Sequence, residues 1–243
     1  MTDIVAIIPA RYASVRFPGK VLADLCGKPV IRHVYERVAQ STAVARVVVA
    51  TDDERIVRAV QSFGGEAVMT SPEHASGTDR VAEAAAKTGG DIIVNVQGDE
   101  PLIEPALIDK VVSNIIGDNA IACSTAASPI TDSAVYQDPN AVKVVMDKCG
   151  HALYFSRSPL PYYRDGFYGG GAFLHVGIYC FRRSFLSVYS SLGPTALEKA
   201  EKLEQLRILE HGYVIGVVMT DSVPKGIDTV HDLEMMRSIL EKH

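Results

Sequence analysis

A short basic segment follows the first apolar run of the chain. Residues 9–20 read PARYASVRFPGK and contain three cations, Arg11, Arg16 and Lys20, among small residues. Backbone N–H groups and basic side chains of this kind bind the oxygens of a triphosphate. The segment matches neither the P-loop pattern G-x-x-x-x-G-K-[ST] nor the dinucleotide pattern G-x-G-x-x-G. We interpret it as a candidate phosphate loop, with a solvated loop carrying incidental basic residues as the alternative.

Two aspartates stand at positions suited to a metal ion that binds phosphate. Asp99 comes soon after the apolar run 92–96, and Asp228 lies just before the last predicted helix. A turn aspartate and a helix-flanking residue are the plain alternatives. One aspartate alone would be a weak indication, whereas two carboxylates together with phosphate oxygens suit the octahedral coordination of Mg²⁺. The pair is therefore a candidate Mg²⁺ site.

Three further candidates lie in the second half of the chain. Arg157 follows a predicted strand and has the planar side chain that binds a carboxylate or phosphate through two hydrogen bonds. His175 is interpreted first as an ordinary core or edge histidine. The segment 203–207, LEQLR, is typical of a helix with its two leucines inward and with Glu204, Gln205 and the arginine outward. From residue type alone, only Arg157 indicates ligand binding.

Motifs for covalent catalysis and for zinc binding do not occur in the sequence. There is no G-x-S-x-G nucleophile elbow and no H-E-x-x-H, and the four cysteines form no C-x-x-C pair. Scattered cysteines of this kind are typical of small buried side chains in a reducing cytoplasm. Phosphoryl or nucleotidyl transfer by positioning and a metal ion remains, because it needs no nucleophilic side chain.

Composition narrows the class of protein and its partners. The 243 residues carry a net charge of −5, and 47% of them are apolar. An acidic chain argues against nucleic-acid binding, and no apolar run approaches the ~20 residues of a membrane span. The chain starts MTDIVAII, without the basic region and cleavage signal of an exported protein. We therefore expect a globular cytoplasmic protein with neither a nucleic-acid nor a membrane partner.

Strand and helix patterns alternate along the first half of the chain. Such alternation predicts a mainly parallel sheet with helices on both faces, and ligands bind at the carboxyl ends of its strands. The predicted strands are 4–8, 46–50, 67–69 and 92–96, with helices beginning after Pro29, Thr51 and Ser76. Three residue pairs have the spacing of a capping box: Thr51 with Glu54, Ser76 with Asp79, and Thr229 with Asp232.

The second half departs from this alternation. Its patterns predict strands at 120–127, 141–146, 151–156, 173–181 and 214–219, with helices at 197–210 and from about 229. We therefore predict a single domain over 1–243 that contains an inserted β-rich lobe at about 130–182. That lobe is the expected place for a dimer contact.

Several segments, in this order along the chain, resemble the 3-deoxy-manno-octulosonate cytidylyltransferase family, also called CMP-Kdo synthetases. They are IIPARYASVRFPGK (7–20), VATDDERI (49–56), SGTDR (76–80), VNVQGDEP (94–101), NAVKVV (140–145), ALYFSR (152–157), HVGIY (175–179), LEKAEKLEQLR (197–207) and GIDT (226–229).

The resemblance implies an α/β, Rossmann-like nucleotidyltransferase fold, with a mainly parallel doubly wound sheet and an inserted β-rich dimerisation lobe. It also implies a homodimer that requires Mg²⁺ and uses CTP as donor. The implied reaction transfers CMP to 3-deoxy-D-manno-octulosonate (Kdo), giving CMP-Kdo and pyrophosphate for lipopolysaccharide biosynthesis.

The resemblance also implies roles for individual residues. Nucleotide binding is implied for Ala10, Arg11, Arg16, Lys20, Ser76, Gly77, Thr78, Arg80, Gln97 and Asp99. Binding of the sugar acid is implied for Gln97, Arg157, His175, Tyr179, Glu204 and Gln205. Metal binding is implied for Asp99 and Asp228, and catalysis for these two aspartates with Arg11 and Lys20.

The sequence departs from the family pattern in places. Phe17 replaces the usual leucine, Val230-His231 replaces Pro-Glu after the last aspartate motif, and the glycine-rich stretch 162–173 has no firm match in the family. Three other functions stay open at this point. They are a cytidylyltransferase for a related acid sugar (an amino-substituted Kdo or a sialic acid), a non-catalytic nucleotide-binding protein, and a P-loop-like NTPase.

Overall fold

The computed structural model describes residues 2–14, 16–74 and 76–241. The chain divides into two compact units: unit 1 comprises Met1–Asp109 and Pro224–His243, and unit 2 comprises Lys110–Val223. The predicted single domain over 1–243, with its lobe at about 130–182, stays a prediction. Among the described residues, none of the helices combines the length and apolar character that crossing a bilayer requires.

The strands and helices follow one another along the chain with these bounds. They are β1 (Ile4–Ala10), a 3₁₀ turn (Lys20–Leu22), β2 (Asp24–Leu25), β3 (Lys28–Pro29), α1 (Val30–Val38), β4 (Arg46–Thr51), α2 (Glu54–Ser62), β5 (Glu66–Met69), α3 (Gly77–Thr88), β6 (Ile92–Asn95), α4 (Pro105–Gly117), β7 (Ile121–Pro129), α5 (Ser133–Gln137), β8 (Lys143–Met146), β9 (Ala152–Ser156), β10 (Phe173–Arg182), α6 (Arg183–Tyr189), α7 (Ala196–Glu201), α8 (Gln205–Glu210), β11 (Val214–Met219) and α9 (Val230–Leu240).

The sheet of unit 1 is parallel, in the order β6-β1-β4-β5. The central strand β1 is almost entirely buried, because a run of β-branched apolar residues suits a strand that is covered on both faces. Ile7 pairs with Val48 on β4 and with Asn95 on β6. This register aligns the carboxyl ends of β1 and β6, where the phosphate loop and residues 97–99 begin.

In unit 1, successive strands are added first on one side of β1 and then on the other. The chain moves outward from β1 through α1 to β4 and through α2 to β5, and α3 then returns it to β6 on the other side of β1. Right-handed crossovers place α3 on the opposite face of the sheet from α1 and α2. The predicted doubly wound arrangement is therefore confirmed, and its topological switch point lies between β1 and β6, the usual ligand position in such sheets.

Unit 2 has a mixed sheet. Strand β7 pairs in parallel with β11 and antiparallel with β10, and β8 pairs antiparallel with both β10 and β9. The β7–β10 pairing shifts register between Val176 and Tyr179. The β-rich character predicted for the second half is confirmed, while helices α4, α5 and α6 were not identified from the sequence.

One of the three predicted capping boxes is wrong. Helix α2 is capped by Asp53, whose side chain accepts a hydrogen bond from the Arg55 backbone N–H at 2.9 Å. Thr51 cannot serve as the cap because it is the last residue of β4, and its carbonyl accepts from Thr70 N. The caps predicted at the other two helices are confirmed by the Ser76 and Thr229 side chains, each of which accepts a backbone N–H.

The helix predicted over 197–210 is also wrong as a single element. It is divided into α7 and α8 at Lys202, which has a left-handed φ of 54°. The Glu201 carbonyl would accept from residue 205 in a continuous helix. It instead accepts from Arg157 Nε at 2.7 Å. A tertiary hydrogen bond to Arg157 thus occupies the Glu201 carbonyl, which would otherwise accept the next hydrogen bond of the helix.

Candidate functional site

The carboxyl ends of β1 and β6 bring two loops of unit 1 into close contact. A Cβ atom on Gly98 would lie 2.8 Å from the Pro9 carbonyl oxygen. Only glycine therefore allows the backbone after β6 to approach the start of the phosphate loop this closely. Val15, within that loop, lies outside the described residues.

A pocket of about 250 Å³ lies where these loops meet. Five of the predicted site residues line it, together with small and apolar neighbours. The lining residues are Pro9, Arg11, Ala13, Ser14, Lys20, Val21, Gly77, Gln97, Gly98 and Asp99. A concave site at a topological switch point with a few polar groups is the usual form of a ligand site in an α/β fold.

Lys20 lies between the two candidate metal ligands. Its Nζ is 2.5 Å from Asp99 Oδ2 and 2.9 Å from Asp228 Oδ1. The Lys20 side chain is 13% exposed, against 26% for Asp99 and 46% for Asp228. Burial alone would lower the pKa of Lys20, but the charges and hydrogen bonds of the two carboxylates outweigh it and raise that pKa. Lys20 is therefore a cation at neutral pH.

Asp228 reaches this position through backbone contacts at the start of α9. Ile227 N donates to the Asp99 carbonyl at 2.9 Å, which ties the segment before α9 to the loop after β6. Asp228 N donates to Asp232 Oδ2 at 3.1 Å, so the Asp228 side chain is left to face Lys20. Arg16 also contacts this carboxylate, with Nη2 2.8 Å from Asp228 Oδ2.

The two carboxylates are suited to a divalent cation. Both direct an oxygen at one positive group, the Lys20 ammonium, and carboxylate oxygens are the hard ligands that Mg²⁺ prefers. Within residues 2–14, 16–74 and 76–241, no cluster of three or more His, Cys, Asp or Glu side chains has metal-binding geometry. Asp99 and Asp228 would therefore supply only part of a coordination shell, as is usual for Mg²⁺ bound with substrate phosphates.

The other residues predicted to bind nucleotide differ in accessibility. Gly77 lines the pocket, Ala10 is buried at the end of β1, and Thr78 is buried in the first turn of α3. Ser76 is occupied in capping α3. Arg11 Nη2 donates to the His74 carbonyl at 2.7 Å, which anchors the Arg11 side chain to the loop before α3.

Arg80 lies in the interior of unit 1. Its side chain is fully buried, with Nη2 2.8 Å from Asp52 Oδ2 and Nη1 2.5 Å from Thr70 Oγ1. Burying a guanidinium requires such a partner. These contacts join α3 to the ends of β4 and β5, which gives Arg80 a structural role in unit 1.

Arg157, in unit 2, is held by backbone carbonyls. Its Nε donates to the Glu201 carbonyl at 2.7 Å and its Nη1 to the Pro139 carbonyl at 3.0 Å. The Glu201 carboxylate accepts in turn from Arg157 N and from Ser156 Oγ. The pKa of the Glu201 carboxylate is lowered, against the effect of burial, by the hydrogen bonds from Ser156 and Arg157 N and by the Arg157 charge. The guanidinium therefore already lies near one carboxylate, although its own hydrogen bonds go to carbonyls.

His175 and Tyr179 lie on β10 in an aromatic environment. His175 Nε2 is 3.0 Å from Thr125 Oγ1, and its ring meets the Phe155 ring edge-on at 5.0 Å between centroids. Burial lowers the pKa of His175 to about 4 and raises the pKa of Tyr179. Both side chains are therefore neutral at neutral pH and can act only as hydrogen-bonding groups.

The outward orientation predicted for the segment 203–207 is wrong in part. Leu203 and Leu206 are buried as expected, but Gln205 is also buried, at 6% exposure. Arg207 pairs with Glu198 through a short contact in which both side chains are mostly buried. The break at Lys202 turns this segment, so a periodicity that assumed one continuous helix assigned its faces incorrectly.

Two ionisable groups in low-solvent surroundings were missed by the sequence reasoning. Burial, with a contribution from Asp99, raises the pKa of Glu100 to about 8, and the fully buried Lys143 donates to the carbonyls of Asp138 and Ala141. The only sequence signals were an acidic pair before Pro101 and a lysine inside the apolar run VKVV. Neither pattern distinguishes a buried charge from a solvated one.

The chain is similar to known cytidylyltransferases over nearly its whole length. A family model described as Cytidylyltransferase matches residues 5–220. The chain is 53% identical to the 3-deoxy-manno-octulosonate cytidylyltransferase of Geobacter sulfurreducens over 250 residues, covering 99% of both. It is 52% identical to the protein of the same name from Syntrophobacter fumaroxidans, covering 98% of this chain and 96% of that one.

Two solved structures have a similar fold. A CMP:2-keto-3-deoxy-manno-octonic acid synthetase complexed with CTP matches with a TM-score of 0.95 and 44% identity, covering 99% of each chain. A cytidylyltransferase from Leptospira borgpetersenii matches with a TM-score of 0.69 and 19% identity, covering 100% of this chain and 88% of that one. The second match shows a likeness of fold alone. The nucleotidyltransferase fold expected from the sequence is confirmed.

Proposed function

The chain belongs to the 3-deoxy-manno-octulosonate cytidylyltransferase family, and from that membership we propose that it transfers CMP from CTP to Kdo. The products are CMP-Kdo and pyrophosphate. The observation that carries the proposal is the convergence of Lys20, Asp99 and Asp228 beside the pocket at the β1–β6 switch point. A cationic loop and two carboxylates at this position suit nucleotidyl transfer.

The reaction needs no covalent intermediate with the protein. The anomeric hydroxyl oxygen of Kdo attacks the α-phosphorus of CTP in line. A new P–O bond forms as the bond between the α-phosphorus and the β-phosphate oxygen breaks, and the hydroxyl proton passes to solvent water. Lys20 and Arg11 stabilise the charge that develops on the departing pyrophosphate, because both are cations that line the pocket.

We assign Asp99 and Asp228 as the protein ligands of Mg²⁺. The bound ion would lower the pKa of the acceptor hydroxyl and offset charge on the α-phosphate. The two aspartates orient their oxygens through the backbone contacts that join α9 to the loop after β6. Lys20 and Arg16 neutralise these aspartates in the structure. With a cation on the carboxylates, both side chains would be able to bind phosphate oxygens.

Recognition of the sugar acid is assigned to residues of unit 2 and to Gln97. Arg157 binds the carboxylate, since its guanidinium carries a charge that only carbonyls contact in the hydrogen bonds described above. His175 and Tyr179 are neutral, which suits hydrogen bonds to sugar hydroxyls rather than to a second anion. Glu204 and Gln205, at the start of α8, complete the proposed set.

The biological setting follows from this reaction as a further part of the proposal. We expect a cytoplasmic homodimer that supplies CMP-Kdo to lipopolysaccharide biosynthesis, with the β-rich lobe at about 130–182 in the dimer contact. The acidic net charge of −5 argues against a nucleic-acid partner.

The proposal is tested with purified protein, CTP and Mg²⁺ in the presence of a panel of sugar acids, by following pyrophosphate release. Kdo, an amino-substituted Kdo and a sialic acid form the panel, and a reaction without acceptor is the control. We expect the highest kcat/KM with Kdo and no release without acceptor. The assignment would be overturned if pyrophosphate were released at the same rate with and without acceptor, or if another sugar acid gave a higher kcat/KM than Kdo.

A further inference from the structure

The ring of Tyr12, in the phosphate loop, contacts an arginine and lies close to a glycine. The Cζ atom of Arg55 is 3.3 Å from the centroid of the Tyr12 ring. On the glycine side, a Cβ atom on Gly19 would lie 2.9 Å from Cε2 of the same ring. The ring therefore contacts the first turn of α2 and also lies close to the end of its own loop.

The guanidinium of Arg55 is held in place by the cap of its own helix. Arg55 Nε is 2.9 Å from Asp53 Oδ1, and Nη2 is 2.6 Å from Asp53 Oδ2. The same carboxylate caps α2 by accepting from Arg55 N. A bidentate pair fixes the plane of the guanidinium as well as its position. The cation that meets the Tyr12 ring is therefore positioned by a helix terminus, independently of any ligand.

The Tyr12 backbone closes the loop that the ring packs against. Its carbonyl accepts hydrogen bonds from Ser14 N at 2.9 Å and from Gly19 N at 2.8 Å. Gly19 is buried and has a φ of +74°, a conformation that favours glycine. Gly19 immediately precedes Lys20, so its hydrogen bond to the Tyr12 carbonyl lies next to the lysine that contacts Asp99 and Asp228.

We propose that Arg55 is a positioning residue for the phosphate loop. Stacked on Tyr12, it holds Gly19 and thereby keeps Lys20 at the carboxylate pair. A cation on an aromatic face stabilises a contact, whereas many exposed ion pairs contribute almost nothing. The Arg55 side chain is 56% exposed. We therefore expect its loss to make the phosphate loop less ordered, with little change in the stability of the whole protein.

Helix α2 provides a matched control for Arg55. Arg58 lies one turn further along, is exposed, and pairs only with the equally exposed Glu54 in the contacts of the described residues. Arg55→Leu and Arg58→Leu therefore remove the same side chain from the same helix, but only the first removes the contact to Tyr12. Arg55→Gln is a second variant that keeps a polar side chain if the leucine variant folds poorly.

Hydrogen exchange of peptides from the phosphate loop tests the contact without any substrate. Arg55→Leu and Tyr12→Leu should each exchange at least ~fivefold faster than wild type over residues 11–20, whereas Arg58→Leu should not. Tyr12→Phe keeps the aromatic face and should restore wild-type exchange. Melting temperatures should stay within about 2 °C in all variants, because no core residue is altered.

Kinetics extend the test and rest on the proposed function. With CTP and Kdo, Arg55→Leu should raise KM for CTP by about three- to tenfold and leave KM for Kdo unchanged, as loss of a cation–π contact predicts. If wild-type protein makes no CMP-Kdo, the proposed function fails while the exchange comparison still decides the role of Arg55. Loop exchange in Arg55→Leu equal to that in Arg58→Leu would overturn the positioning role.

Discussion

The two groups of predicted site residues are held in different ways. In unit 1, Arg16 and Lys20 are paired with Asp99 and Asp228, and the pairs are partly exposed. In unit 2, the charge of Arg157 is bound by carbonyls, His175 is neutral and partly buried, and Gln205 is buried. The first group consists of charges that neutralise one another, and the second of polar groups fitted into the interior.

Because of this difference, the two groups of residues suit different kinds of ligand. Partly exposed ion pairs are worth little in free energy, so the charges of unit 1 can exchange partners when a phosphate or a metal ion arrives. Buried hydrogen bonds are more costly to break, because a group left without a partner keeps its desolvation penalty. We therefore expect substitutions in unit 1 to act mainly on turnover, and those in unit 2 on acceptor binding and stability.

The largest expected effect is on the carboxylates of unit 1. Asp99→Asn and Asp228→Asn should each lower kcat by at least ~100-fold with saturating Mg²⁺, because each removes a charged ligand of the metal ion. The fold should be kept, since both residues lie in loops beside helix and strand ends. Glu234→Gln, an exposed carboxylate on α9, is the matched control and should retain wild-type kcat.

Steady-state kinetics with CTP and Kdo measure this effect, and circular dichroism checks the fold. Wild-type kcat in either aspartate variant would remove that residue from the mechanism. The partly exposed charges of unit 1 would then be ordinary ion pairs without a role in turnover.

Titration of His175 should be the largest effect of unit 2 on stability. Its pKa is lowered by burial from 6.5 to about 4. As the pH falls, His175 therefore binds a proton at a higher pH in the unfolded chain than in the folded protein. The stability contributed by the neutral ring is complete above pH 6.5 and is lost as the pH falls towards 4. The loss has an upper limit of ~3 kcal/mol, and about 1–2 kcal/mol is expected because the ring is not fully buried.

Urea unfolding across this pH range measures the contribution. His175→Gln should show a smaller decrease in the free energy of unfolding between neutral and acidic pH than wild type does. If the free energy of unfolding falls equally with pH in the two proteins, the environment of His175 does not destabilise its charged form. Unit 2 would then be more solvated than its contacts indicate.

Arg157→Lys tests recognition of the acceptor. Lysine keeps the charge but loses the planar guanidinium that binds a carboxylate in two places. We expect KM for Kdo to rise about tenfold, with KM for CTP little changed, as loss of a charged hydrogen bond predicts. Initial rates with each substrate varied in turn measure both constants. A parallel rise in both KM values, with a lower melting temperature, would make Arg157 a structural residue that fixes Glu201 and Pro139.

The smallest expected effect concerns metal binding without nucleotide. Lys20 Nζ contacts the same carboxylate oxygens that a cation would need, so the ammonium and the metal ion compete for them. Lys20→Met should bind Mn²⁺ on the order of fivefold more tightly than wild type in the absence of CTP. Electron paramagnetic resonance of free Mn²⁺ measures this affinity, with Lys28→Met as the surface control. Equal affinities in the three proteins would show that Lys20 does not occupy the metal position.

Much of unit 1 was predictable from local patterns. The β-branched runs at 4–8 and 92–96 form β1 and β6, because continuous apolar residues of this kind suit a strand covered on both faces. The helix caps at Ser76 and Thr229 were predictable because a hydroxyl side chain at the start of a helix can accept a hydrogen bond from an otherwise unpaired backbone N–H. With the rule that ligands bind at strand carboxyl ends, these patterns also indicated where the phosphate loop and Asp99 would lie.

Local patterns were enough to predict the fold class, the family and the residue types available for chemistry, because hydrophobic periodicity, caps and motif order can be read along the chain. Which charged side chains lie in contact depends instead on the tertiary structure. Lys20 and Asp228 are 208 positions apart and join through one hydrogen bond. Arg157 breaks the helix at Lys202 by taking a distant carbonyl, and Arg80 is withdrawn into the interior by Asp52. Burial and pairing depend on groups brought together from remote parts of the chain, and no local pattern encodes them.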